Sequence, residues 1–291
     1  MTISLRDRVA IITGANRGLG LEIARRYAAV GASLVLCARD FESLAQVRTQ
    51  LQVDESDGQG IEAIAADVSN PSDVDRLVAH TLARFGKIDV LVNNAGIYGP
   101  MGTIDDVDWR AWVRAIEINL LGSVLVARAV VPAMKARRAG KIIQLSGGGA
   151  TNPLPRISAY AASKAAVVRF AETLAEELRG FGIDVNSIAP GALNTRMLEE
   201  VLAAGPEKVG AAFFERSVRQ RQSGGAGLER GASLAVFLAS EASNGITGKL
   251  ISALWDKWET WPERVAELTS SDMYTLRRVS GRDRGVDWGD K

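Results

Sequence analysis

The 291-residue sequence predicts a doubly wound α/β domain: a seven-stranded parallel sheet with helices on both faces. Three observations carry that expectation. Seven short runs are apolar almost throughout, as strands covered on both faces must be. Longer stretches of helical period separate them, so each crossover lays a helix back against the sheet. The composition, 47% hydrophobic and 24% charged, supplies a core large enough for one large domain.

The strands are expected at 9–13, 33–38, 61–65, 89–93, 141–146, 184–189 and 249–253. The first helix, LGLEIARRYAAVG, stops at Gly31, and PSDVDRLVAHTLARFG opens on a proline and stops at Gly86, the expected asymmetry of helix ends. Long helical stretches follow at 108–137 and 157–180. The domain spans 1–253, and 254–291 is a C-terminal extension in which Trp255, Trp258 and Trp261 recur every three residues, where aromatic faces either stack on sugar rings or, as the favoured reading, pack a contact such as one between subunits.

Thirty-five basic against thirty-four acidic residues leave a net charge of +1, which recruits neither nucleic acid nor an anionic membrane, so the expected partner is a small molecule. The single cysteine, Cys37, excludes an internal disulfide. No apolar run is expected to span a bilayer, and the charged opening MTISLRDRVAIITG lacks a signal-peptide core, which predicts a cytoplasmic protein. Neither Cys37 nor His80 has companions for metal binding.

The first strand runs directly into TGANRGLG at 13–20. Gly14, Gly18 and Gly20 remove side chains where a tight turn must let backbone amides approach a pyrophosphate, and the next helix offers its positive end to that anion. The spacing is G-x-x-x-G-x-G, distinct from G-x-G-x-x-G.

Five further motifs lie in order behind this turn: Asp67 and Val68 in ADVS, NNAG at 93–96 with Asn93, Ala95 and Gly96, Asn119 in INL, Tyr160 and Lys164 in YAASK, and PGALNT at 190–195 with Pro190, Gly191 and Thr195. Together they resemble the short-chain dehydrogenase/reductase family, shorter single-domain branch, along residues 6 to about 253. The resemblance implies a Rossmann-like fold, a nicotinamide cofactor and hydride transfer. It makes Gly14, Asn16, Arg17, Gly18, Leu19 and Gly20 the cofactor turn, Asp67 and Val68 the adenine contact, and Thr195 the nicotinamide contact. Asn119 corresponds to the residue that holds a water on the proton relay beside Lys164. The helices at 108–137 and 157–180 resemble those that pair family members, so a homodimer or homotetramer is expected.

The second strand ends LVLCARD. Ala38 stands where the family's NAD enzymes carry Asp, and Arg39 follows it. With Arg17, Arg39 predicts a fork for a 2′-phosphate, so NADP(H) is expected over NAD(H); Asp40 is the competing reading, as a partner for Arg39 or a ribose.

Tyr160 and Lys164, four apart on a helix, share a face. A cation about 5 Å from a phenol predicts a pKa drawn down by roughly two units, toward working pH, as proton transfer to a ketone oxygen would require. The family's serine sits thirteen residues before the tyrosine. Here that position, in LSGGG, is Gly147. Three replacements for the missing hydroxyl are open: Ser146, the amides of Gly147 to Gly149, or Ser158, Thr151 or Asn152 from the following loop.

The segment 197–227 falls where the family covers its substrate, with Gly205, Gly224 and Gly225 as candidate hinges. Arg216, Arg219 and Arg221 would suit an anionic group there. The expected function is NADP-dependent reduction of a ketone on a polar, sugar-like or phosphorylated metabolite. An acyl or polyketide ketoreductase is the alternative that an apolar pocket would favour. A cofactor-binding redox sensor without turnover is the alternative outside catalysis.

Overall fold

The computed structural model describes residues 3–51 and 59–289. Its seven strands are β1 (Val9–Thr13), β2 (Ser33–Ala38), β3 (Ile61–Ala65), β4 (Val90–Asn93), β5 (Gly140–Leu145), β6 (Ile183–Ala189) and β7 (Leu250–Ser252). All pair in parallel in the order 3-2-1-4-5-6-7. The order reverses between β1 and β4, which opens a crevice at the carboxyl ends of the strands.

One face of the sheet buries Ile12, Leu36, Val92, Ile143 and Ile251 against α1 (Gly18–Ala29) and α9 (Leu228–Ala239). The Tyr27 hydroxyl ties these two helices by donating to the Ala235 carbonyl at 2.8 Å. The other face buries Ile11, Val35, Leu91, Ile142 and Val185 under α3 (Pro71–Phe85), α5 (Gly122–Arg137) and α6 (Ser158–Leu178). α2 (Phe41–Leu51) covers the β3 side. The start of α3 is set by Asn70, whose side chain accepts from Ser72 and Asp73 N–H groups, and its end by Gly86 in a left-handed conformation.

The stretch 109–137 is α4 (Trp109–Ile116), a π turn at Glu117–Leu121 and α5. By length and composition this run is long and apolar enough to cross a bilayer, which corrects the expectation that no segment would be. Its Ile118, Val126, Val130 and Met134 are spent on the core beneath the sheet.

After β7 the chain packs back onto the domain. Trp258 and Trp261 are buried in the same core as α9, with Trp258 5.3 Å from the Phe237 ring. Further on, the Tyr274 carbonyl accepts from Leu250 N–H at 2.7 Å and Glu172 accepts from Leu276 N–H at 2.6 Å, so the extension lies along the β7 edge and α6. Edge strands left bare invite pairing with other chains, and this contact blunts one.

Candidate active site

A cleft of ≈ 1390 Å³ runs along the carboxyl ends of the strands. Its floor at one end is the glycine turn after β1. Gly14 and Gly18 have φ of 64° and 56°, which L side chains rarely adopt, and a Cβ on Gly20 would overlap the Gly14 carbonyl and lie 2.5 Å from Asn94 Nδ2. Asn94 braces the turn by donating to the Thr13 and Gly14 carbonyls at 3.0 and 3.1 Å. The Thr195 methyl group would stand 3.5 Å from a Cβ on Gly18, so the 190–195 turn closes over the first. This cradle, whose walls leave no room for side chains, fits a dinucleotide's phosphates at the start of α1.

Of the expected cofactor residues, Gly14, Asn16, Arg17, Gly18, Leu19, Arg39, Asp67, Val68, Ala95, Gly96, Tyr160, Lys164, Pro190, Gly191 and Thr195 line the cleft. Gly20 and Asn93 lie behind it: the first packs under the turn, and the second donates to the Ser123 carbonyl at 3.0 Å. Asp40 caps α2 by accepting from Ser43 N–H at 3.3 Å, and these bonds hold its carboxyl below the usual range. Arg39 is exposed at the cleft rim and, among the described residues, makes no hydrogen bond or ion pair. The Asp67 carboxylate is shared between Ser69 and Arg114.

At the other end stand Tyr160 and Lys164. The Lys164 ammonium donates to the Leu145 carbonyl at 2.7 Å and lies 5.7 Å from the Tyr160 ring centre. Burial pulls its pKa down to about 8. The Tyr160 phenol is pushed up, by burial first and by Tyr98 second, against the expected fall. The desolvation of a phenolate in this wall outweighs the field of a lysine whose own charge is opposed by burial.

Asn119 is fully buried behind the cleft. Its amide clamps Ile97, accepting from the N–H and donating to the C=O at 2.8 Å each, and also donates to Ser163 Oγ at 3.0 Å. A Cβ on Gly96 would lie 3.2 Å from Asn119 Oδ1 and 3.6 Å from Lys164 Nζ, which places both at one point of the wall. Asn119 sits within the π turn, a helical irregularity often found at functional sites.

Gly147 has an extended backbone, and a Cβ there would fall on the Tyr160 hydroxyl and lie 3.1 Å from Cζ. Ser146 lines the cleft, but its Oγ is buried without a hydrogen-bond partner. Thr151 and Asn152 bond each other at 3.0 Å, and Ser158 accepts from the Trp112 indole at 3.0 Å.

Tyr98 and Leu154 line the cleft although no sequence expectation covered them, while Asn94 of NNAG and Met197, Phe213 and Gln220 of the expected covering segment line it without having been singled out. Gln220 donates to the Leu193 carbonyl at 3.1 Å, tying α8 (Ala211–Ser223) to the 190–195 turn, while α7 (Arg196–Val209) breaks at Gly205. Arg216 stacks on Phe213 and Arg221 pairs with Glu199, and neither these nor Arg219 line the cleft. Trp255, 84% exposed, does.

Residues 8–205 match the family model for short chain dehydrogenase, and the chain belongs to that family of oxidoreductases. It is 32% identical over 247 residues to dehydrogenase/reductase SDR family member 4 of Sus scrofa, covering 85% of this chain and 86% of the relative. Among solved structures, NAD+-bound xylitol dehydrogenase superposes with a TM-score of 0.75 at 27% identity, over 85% of this chain and 97% of its own. A variant of actinorhodin polyketide ketoreductase with NADPH gives a TM-score of 0.75 at 30% identity, over 84% and 95%. Proteins of this fold bind a nicotinamide cofactor.

Proposed function

We propose that this protein is an NADP(H)-dependent oxidoreductase that interconverts a ketone and a secondary alcohol on a substrate with an apolar body, acyl-like or cyclic. The observation that carries the substrate class is the lining of the cleft: Tyr98, Leu154, Met197, Leu198, Phe213 and Trp255 belong to it, and Arg216, Arg219 and Arg221, the arginines expected to meet a phosphate, do not. Apolar walls with a few polar groups fix such substrates by shape and by their one reacting oxygen. The likeness to a polyketide ketoreductase agrees with this wall, whereas the likeness to xylitol dehydrogenase speaks for the sugar-like alternative.

The bound nicotinamide supplies the hydride. Tyr160 supplies the proton: its phenol lines the cleft beside Lys164, and burial keeps it protonated near neutral pH, the form that donates to a ketone oxygen. Lys164 orients at the wall between Leu145 and Gly96, beside the ribose position implied by the family. Arg39 is free to meet a 2′-phosphate, with Arg17 across the rim, while Asp40 is occupied by its own helix. Exposed Ile104, Trp109 and Leu121 around α4 support self-association through that face.

Two measurements test the reading. NADPH should bind more tightly than NADH by calorimetry, and Arg39→Ala should cut that preference by about tenfold, a typical value for one exposed charge-assisted contact; equal affinities in the wild type contradict it. A panel of ethyl acetoacetate, cyclohexane-1,2-dione, α-tetralone and D-xylulose, followed by NADPH consumption, should favour the first three. Preference for D-xylulose would return the substrate to the sugar-like class.

A further inference from the structure

We infer that Tyr98 supplies the second hydroxyl at the reacting oxygen, the place that Gly147 leaves without one; this rests on the ketone-reduction reading above. The Tyr160 hydroxyl sits where any side chain at 147 would begin, so a side-chain donor cannot come from that position. Ser146 follows Gln144 on the sheet face that packs under α5 and α6, since alternate residues share a face, and its Oγ is buried. Thr151 and Asn152 are bonded to each other and Ser158 accepts from Trp112, which leaves the backbone amides of Gly147 to Gly149 as the competing donors.

Tyr98 meets the requirement from the opposite wall. Its ring stands edge-on to Tyr160, centres 4.8 Å apart and planes at 64°. It lines the cleft, and among the described residues its hydroxyl has no hydrogen-bond partner. Its backbone is held on both sides: Asn119 clamps Ile97, and a Cβ on Gly99 would lie 2.6 Å from the Ala115 methyl, so that residue packs directly on α4. A donor that stabilises developing charge must be fixed before the reaction, and this one is. Ionisation of Tyr98 opposes that of Tyr160, which places the two phenols within each other's field. Burial also raises the Tyr98 pKa, so it remains a donor at neutral pH.

The step balances simply. The carbonyl carbon gains hydride, the oxygen takes the Tyr160 proton as the π bond breaks, and Tyr98 keeps its proton while its hydrogen bond shortens.

The test is Tyr98→Phe, which keeps the ring against Tyr160 and removes only the oxygen, assayed on the best-reduced ketone of the panel. Removing one donor to a developing oxyanion predicts a fall in kcat of roughly 100-fold with KM changed less than about threefold. NADPH affinity and melting temperature should hold, and absorbance titration should show Tyr160 ionising at lower pH than in the wild type. Ser146→Ala should leave kcat within about threefold. Wild-type kcat in Tyr98→Phe, or the large loss in Ser146→Ala instead, overturns the inference and leaves the reduction reading standing. Full turnover by Tyr160→Phe would overturn that reading itself.

Discussion

The two ends of the sheet differ in how completely their buried polar groups are paired. At the amino end Asp89 accepts from Val9 N–H at 2.8 Å and from Arg137 at 2.9 Å, with Lys87 and Arg8 nearby. Lys141 is likewise paired to Asp184 at 2.7 Å and to Ser243 at 3.2 Å. Toward the carboxyl end, the Gln144 amide, Ser146 Oγ and Ser187 Oγ are buried without partners, and Gln144 and Ser187 are register neighbours on β5 and β6. Buried polar groups are normally satisfied, and at this end Asn93 and Asn119 are, whereas these three side chains are not. That end is the one that carries the cleft.

The contrast can be broken first at its stable end. Asp89→Asn leaves Arg137 and Lys87 facing an uncharged amide, and losing one partner of a buried pair predicts a loss of ~3 kcal/mol in denaturant unfolding. Turnover per folded molecule should not change. Loss of activity without loss of stability would mean that the amino end is not merely structural.

At the cleft the sign reverses. Lys164 is buried, with a pKa of about 8 against an ordinary 10.5, so below pH 8 the folded chain bears a charge that the unfolded chain solvates better. Lys164→Met should therefore raise stability by ~2 kcal/mol at pH 7, while abolishing turnover. Between pH 8 and 10.5 the folded wild type has already lost the proton that the unfolded chain still holds, so the gain should shrink across that window. A gain that stays constant with pH contradicts the buried-charge account.

The smallest effect is at Ser187. Replacing an unpartnered hydroxyl that is 1% exposed by Ala should leave stability equal or raise it by up to ~1 kcal/mol, measured by thermal unfolding. A loss beyond that would show that the hydroxyl is satisfied in solution.

Much of this was legible in the sequence. Apolar runs located all seven strands within a residue, because strands covered on both faces are apolar at most of their positions. Motif order placed fifteen of the expected cofactor residues on one cleft. What escaped depends on three-dimensional neighbours. The π turn at Glu117–Leu121 leaves no mark on helical periodicity. Tyr98 belongs to no motif, and its importance comes from meeting Tyr160 across the cleft. The phenol's upward shift came from burial, which a single charge at a guessed distance could not include. The three tryptophans share one spacing but not one fate: Trp258 and Trp261 lie on the same side of a three-residue-per-turn 3₁₀ helix and are buried, whereas Trp255 precedes it and faces the cleft.

The central claim is that the less completely paired carboxyl end is a proton-donating ketone site built on Tyr160. Its most direct test pairs two readings on Tyr160→Phe: NADPH binding by cofactor fluorescence, and NADPH consumption with the ketone the wild type reduces best. The account predicts wild-type binding with a loss of turnover of about 1000-fold, within the range for removing a general acid. Turnover within about threefold of wild type, with binding intact, would contradict it.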